Sequence, residues 1–206
     1  HASFTLDDET MRCLGDIAEK YGTGIHIHVA EDTSDVKNAK QRNRNGIIGR
    51  LEEYGLLSQK TVLAHCIHLS ASAFSKINKT GSWVVHNPRS NMNNAVGYAP
   101  VHLFGSRAAL GTDGFVSDMF SEAQAAYFRN AESDHRLTFS RIPEMLHAGN
   151  ELASLLFGQK YGAIEKGNAA DLVVLDYVSP TPITADNLAG HFIFGMRSSM
   201  VESVMV

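Results

Sequence analysis

The sequence predicts an α/β fold built on a parallel sheet. Two observations lead there. Short apolar runs of β type alternate along the chain with stretches whose apolar residues recur at helical spacing. Four successive runs also close on a polar residue able to do chemistry, His28, His65, His86 and Asp113, each about one strand-and-helix unit after the last. Alternating strands and helices place crossover helices against a parallel sheet, and such a sheet gathers its carboxyl ends on one edge.

Taken in order, the first element is a helix. Thr5 with Asp8 three residues later resembles a capping box, and Met11, Leu14, Ile17, Ala18 and Tyr21 follow at helical spacing. GIHIHVAE, residues 24–31, is the first strand: Ile25, Ile27 and Val29 fall on one face and His26 and His28 on the other, with Glu31 just past the end. Residues 32–45 are polar, basic and Asn-rich from Lys37 onward, and read as a solvated loop and helix start, with a substrate-covering loop as the alternative. Ile47, Ile48, Leu51 and Tyr54 predict a helix closed by Gly55.

TVLAH (61–65) is the second strand. Ser70 caps a helix carrying Phe74 and Ile77 that ends by Gly81, and SWVVH (82–86) is the third strand. Pro100 to Ser106 reads as a short helix, AALGTD (108–113) as the fourth strand, and Asp118 to Ala131 as a further helix.

Composition limits the function classes. With 206 residues, 44% hydrophobic and 19% charged, the chain has a globular profile. No apolar run approaches the ~20 residues of a membrane span, and the N-terminal residues lack a secretory pattern, so the expectation is a cytoplasmic protein without a membrane partner. A net charge of −4 supplies no basic footprint for nucleic acid, and a small-molecule partner is favoured. Cys13 and Cys66 lack C-x-x-C spacing, which argues for reduced thiols rather than a disulfide framework. The chain opens on His1 and stops on the apolar run MVESVMV with no turn after it; both ends read as cuts in a longer chain.

The four strand ends then suggest a chemistry. In a parallel barrel they would share one pocket, which suits metal ligation from several strands better than the line of an open sheet. Imidazole and carboxylate are good ligands for zinc or iron, and such an ion lowers the pKa of a bound water. Glu31, three residues after His28, is placed to carry a proton; His65 could polarise an oxyanion; Asp113 could touch the metal and take the water's proton.

The motifs HVAE (28–31), LAHCIHL (63–69), VVHNPRSN (84–91) and ALGTDG (109–114), followed by PEMLHAGNELASLLFG (143–158) and YGAIEKGNAADLVVLD (161–176), resemble the amidohydrolase superfamily. The likeness is to its branch of aromatic-amine deaminases and triazine chlorohydrolases, with wording nearest the SsnA-type aminohydrolases. It implies the C-terminal part of a (β/α)8 TIM-type barrel over residues 1–160, and over 161–206 a return segment into a small, incomplete β-sandwich.

The resemblance also implies roles: metal ligation by His28 and Asp113, catalysis by Glu31, His65 and Asp113, and substrate contact by His1, His86, Asn87 and Asn91, with Ser90 in the same pocket-shaping segment. The cofactor would be one divalent metal ion, zinc in the first place and iron as the alternative, and a homodimer is compatible with it. The reaction implied is hydrolysis of a non-peptide C–N bond, deamination of an amino-substituted heterocycle. An amide, cyclic-amide or chloro-heterocycle hydrolase of the same superfamily, or a degenerate non-enzymatic barrel, are the alternatives.

One departure stands out. The family's first-strand H-x-H metal pair is missing, because His26-Ile27-His28 carries the downstream Glu that marks a later strand. The expectation is that truncation removed it. Other residues receive plainer readings: His68 and His102 as surface or supporting groups, His135, His147 and His191 without a role, Cys66 as packing, and Asp171 as part of a structural return strand.

Overall fold

The computed structural model describes residues 1–133 and 138–206. These residues divide into two compact units, His1–His86 with Asn91–Ala108, and Asn87–Ser90 with Ala109–Val206. His135 lies outside the described residues.

Strands β1 (His26–Val29), β2 (Val62–His65), β3 (Trp83–His86) and β4 (Ala108–Leu110) form one sheet in the order β1-β2-β3-β4. β1 pairs with β2 and β2 with β3, both in parallel, with Val29 opposite His65 and Leu63 opposite Val84. The strand that carries two histidines is short because its last apolar residue, Val29, is fully buried, and the chain turns immediately afterwards at Ala30 with φ of 49°. Close approach sets its other end: a Cβ on Gly24 would lie 2.2 Å from the Lys60 carbonyl, so only glycine lets the lead into β1 run beside the lead into β2. Ala2 forms a parallel bridge with His28, whose N–H donates to the His1 carbonyl at 3.1 Å.

In the first unit, α1 (Asp8–Tyr21), α2 (Thr33–Arg42), α3 (Gly46–Glu53) and α4 (Ala71–Thr80) accompany the sheet. Ile27, Val29, Ile47, Leu51, Leu63, Phe74, Ile77, Trp83 and Val84 are buried and make the core. Ser70 caps α4 through the Ala73 N–H, and Gly81 closes it in the left-handed region. Arg50 on α3 is buried and ties that helix to the opening segment, donating to Asp8 Oδ1 and to the carbonyls of Ser3 and Leu6.

Three expectations need correction. The cap of α1 is Asp7, whose Oδ1 accepts from the Thr10 N–H at 2.8 Å, whereas Thr5 sits in a 3-10 turn and spends its hydroxyl on the Ala2 carbonyl. Most of residues 32–45 is not loop but α2, capped by Asp32. Its buried face consists of Asp35 and Ala39, so the helix carries no large-apolar stripe to announce it. The stretch from Pro100 to Ser106 contains one 3-10 turn, Val101–Leu103. A further helix, α5 (Pro88–Asn93), follows β3.

In the second unit, α6 (Met119–Glu132) is capped by Asp118 and α7 (Arg141–Phe157) is closed by Gly158. Leu172–Leu175 (β5) and Val201–Met205 (β6) pair antiparallel, with a register shift at Val174/Leu175. Ile142, Met145, Ala148, Ala123, Ala126 and Ile193 are buried there. His191 is also buried, held between the Tyr177 hydroxyl at 2.8 Å and the Thr181 hydroxyl at 3.2 Å. Among the described residues no helix is long and apolar enough to cross a membrane.

Candidate active site

In the first unit the carboxyl ends of β1 and β2 bring His28, Glu31 and His65 together. His28 Nδ1 and His65 Nε2 are 2.9 Å apart, and the two rings are stacked at 5.0 Å between centroids. Glu31 Oε2 lies 3.9 Å from His28 Nδ1 and 3.5 Å from His65 Nε2. Its other oxygen, Oε1, accepts from Asn94 Nδ2 at 3.1 Å. His65 is fully buried, and its Nδ1 meets Asn91 Oδ1 at 2.8 Å.

Backbone conformation puts these groups where they are. Ala30, His65 and Cys66 all have positive φ, His65 at 69°, a region costly for residues with a Cβ. The turn after β1 is fixed by buried Asp35, which accepts from the Ala30 N–H at 2.7 Å and from the Ser3 hydroxyl at 3.0 Å. Burial raises the Asp35 pKa, with those two hydrogen bonds acting the other way. The turn after β2 is held by Cys66, Ile67 and His68 N–H groups donating to the Val29 and Ala30 carbonyls.

The donor set fits a small divalent cation. Two imidazole nitrogens and a carboxylate oxygen fall within 4.8 Å of one another. A tetrahedral zinc with nitrogens at its usual distance separates its donors by about 3.3 Å, and the separations here are 2.9, 3.5 and 3.9 Å.

His86 closes β3 and is buried with both ring nitrogens lacking a hydrogen-bond partner among the described residues; its ring stands edge-on to Phe104. Burial first, then the neighbouring His65, pushes its pKa down to about 3, so the imidazole is neutral. His1 is exposed, with Nδ1 3.4 Å from the Thr5 hydroxyl. His68 meets the Val96 carbonyl through Nε2 at 2.8 Å. Cys66 is wholly buried and its thiol pKa is raised, which agrees with packing.

In the second unit, Asp113 has φ of 51° and its Oδ2 accepts from the Ser90 hydroxyl at 2.6 Å. Beside Ser90, Arg89 donates to Glu122 from its backbone N–H at 3.1 Å and from Nε. Glu122 is fully buried; burial raises its pKa, with the Arg89 bonds opposing. Arg89 Nη2 also donates to the Val116 carbonyl at 2.8 Å and its guanidinium lies over Phe115 at 5.5 Å, pinning the turn that follows Asp113. Asn87 is buried, with Oδ1 lacking a partner among the described residues.

Sequence reasoning missed Asp35, Asn94, Arg89 and Glu122. Asn94 lies three residues after Asn91, a spacing that marks one helical face, and Glu122 is a lone carboxylate ahead of small apolar residues in α6. Asp35 gives no such signal, since its partners are backbone at Ala30 and Ser3 far behind it.

Comparison with known proteins places these features in a family. The profile of the amidohydrolase family matches residues 1–206. The 5'-deoxyadenosine deaminase of Methanopyrus kandleri is 34% identical over 100% of this chain and 50% of its own length. A 5-methylthioadenosine/S-adenosylhomocysteine deaminase of Caldanaerobacter subterraneus subsp. tengcongensis is 31% identical over the same shares. Among solved structures, an adenosine deaminase from Xanthomonas campestris with bound zinc superposes with a TM-score of 0.85 at 26% identity, over 100% of this chain and 49% of that one. The guanine deaminase of E. coli shares the fold, with a TM-score of 0.87 at 20% identity over 100% and 51%. The chain spans about half the length of the curated relatives it matches.

Proposed function

This chain belongs to the amidohydrolase family, and from that premise we propose that the protein is a metal-dependent aminohydrolase that deaminates an amino-substituted heterocycle, a purine, pyrimidine or related ring. The observation that carries the reading is the convergence of His28, Glu31 and His65 within 4.8 Å at the ends of two parallel strands. Relatives named for deamination of adenosine derivatives support it.

In this reading His28 and Asp113 hold one divalent ion, zinc or else iron, and Ser90 orients the Asp113 carboxylate through its 2.6 Å hydrogen bond. When bound, such an ion acidifies a water and stabilises developing negative charge. Water adds to the ring carbon, the C–N bond breaks and ammonia leaves. Glu31 carries the proton between the attacking water and the departing nitrogen, and the Asn94 contact keeps its carboxylate turned toward the imidazoles. Asp113 accepts the second proton of the same water, which ends on the ring nitrogen of the product. His65 orients that water and polarises the developing oxyanion. His86, neutral and buried, and Asn87 and His1 frame the substrate end. The work takes place on a small molecule in the cytoplasm, within a barrel portion at 1–160 joined to a sandwich segment at 161–206.

The test combines elemental analysis of the full-length protein with ammonia release across aminated purines, pyrimidines and triazines. One metal per chain with ammonia from a panel member is the expected result; Glu31→Gln then keeps the metal and loses turnover, while His28→Ala loses both. Near-normal turnover in Glu31→Gln overturns the proton role, a stoichiometric metal without ammonia overturns deamination, and a protein that binds no metal overturns the reading as a whole.

A further inference from the structure

We propose that Asn91 is a positioning residue that fixes the tautomer of His65. The inference rests on the catalytic reading of His65 above and replaces the substrate contact expected for Asn91 from the sequence.

The geometry is that of a buried relay. Asn91 is 3% exposed and His65 is 0% exposed, so neither side chain exchanges partners freely with water. Asn91 Oδ1 stands 2.8 Å from His65 Nδ1. An amide oxygen accepts and never donates, so the hydrogen of that bond sits on His65 Nδ1. A neutral imidazole has one N–H, which leaves a lone pair on His65 Nε2. That nitrogen faces the Glu31 and His28 side of the site, 3.5 Å from Glu31 Oε2 and 2.9 Å from His28 Nδ1. One buried amide therefore orders the proton on this ring.

The backbone keeps the amide in place. The Asn91 carbonyl accepts from the Val96 N–H at 3.2 Å, and Asn94, one helical step on, holds Glu31 Oε1. Glu31 Oε2 lies 3.5 Å from the same His65 Nε2. With the tautomer set by Asn91, His65 meets the reacting side through a nitrogen that accepts. In the other tautomer it would present an N–H there, competing with the water it is meant to orient.

The experiment is long-range proton–nitrogen correlation on the full-length protein with 15N-labelled histidine, zinc-loaded and after chelator treatment, together with kcat and KM. The expected result is a protonated Nδ1 and an unprotonated Nε2 for His65 in both samples. Asn91→Leu should release the Nε2–H tautomer and lower kcat 10–100-fold, the range for residues supporting a ligand, with KM unchanged within about twofold. Asn91→Asp, which retains an acceptor, should restore the Nδ1–H tautomer and most of kcat.

An Nε2–H tautomer in the unsubstituted protein overturns the proposal, as does an Asn91→Leu spectrum that does not change. A rise in KM with kcat intact overturns it too, in favour of substrate contact. The spectra need no turnover, so a protein that deaminates nothing in the panel but shows the Nδ1–H tautomer refutes the reaction class and leaves this assignment standing. If Asn91→Leu fails to fold, the unsubstituted and Asn91→Asp spectra decide the matter.

Discussion

Glu122→Ala in α6 should be among the most destabilising single changes in the second unit. Glu122 is fully buried, and the substitution removes the acceptor of two bonds from Arg89, one from its backbone N–H at 3.1 Å and one from Nε. Hydrogen bonds to charged groups contribute about 1.5–3 kcal/mol each, which gives about 3–6 kcal/mol for the two. Breaking a buried ion pair from one side costs about 3–5 kcal/mol, and the two routes agree. Arg89 keeps its bond to the Val116 carbonyl and its place over Phe115, which favours the lower part of that span.

The assay is urea unfolding of the full-length protein. With a slope of about 2 kcal/mol per molar urea, a loss of about 3–4 kcal/mol lowers the midpoint by about 1.5–2 M at unchanged slope. Pairing Glu122→Leu with Arg89→Met should recover much of the loss, because no charge is then left buried alone. A loss below about 1 kcal/mol for Glu122→Ala, or no recovery in the pair, would refute the argument that this ion pair holds α5 against α6.

Three further outcomes follow from the geometry. The His86 pKa is pushed down to about 3 by burial, so the unfolded chain takes up a proton that the folded chain refuses. Stability should therefore fall as pH drops from about 6.5, by up to roughly 1.4 kcal/mol per pH unit toward pH 3, and His86→Phe should flatten that part of the urea-midpoint profile. Equal slopes in the two proteins would show that His86 is not held neutral. Cys13 is exposed whereas Cys66 is buried with a raised thiol pKa, so a thiol reagent should label Cys13 in the native protein and both cysteines only in denaturant; rapid native labelling of Cys66 would contradict its packing role. Replacing Ser90 by Ala removes the 2.6 Å bond to Asp113 Oδ2 and should weaken zinc affinity 10–100-fold, read by competition with a metal indicator; unchanged affinity would separate Ser90 from the metal.

The sequence made the strand ends legible because each strand is a short apolar run whose last residue breaks the pattern with an imidazole or a carboxylate. That break survives folding at two strands: His65 and His86 end β2 and β3, whereas β1 runs one residue past His28 to Val29 and Asp113 lies three residues after β4 ends at Leu110. α4 was readable from Ser70 and Gly81, since a cap and a left-handed stop are local chemistry. α2 was not, because its buried positions are Asp35 and Ala39, and an aspartate looks like solvent until its partners at Ala30 and Ser3 are known. The role of Asn91 was hidden for the same reason. Spacing shows that an asparagine follows β3; a distance of 2.8 Å to a particular ring nitrogen is a tertiary fact.

The positive φ angles at Ala30, His65 and Asp113 bear on how this protein could be improved in the laboratory. Each backbone conformation is one that glycine adopts without steric strain, so a screen rewarding heat resistance alone would count that relief as the gain of a glycine here. At His65 and Asp113 the gain would remove the imidazole or the carboxylate on which the proposed reaction turns. A library scored jointly for survival and turnover would instead leave both untouched and collect its improvements on the solvated helix faces, where fitness and folding do not compete.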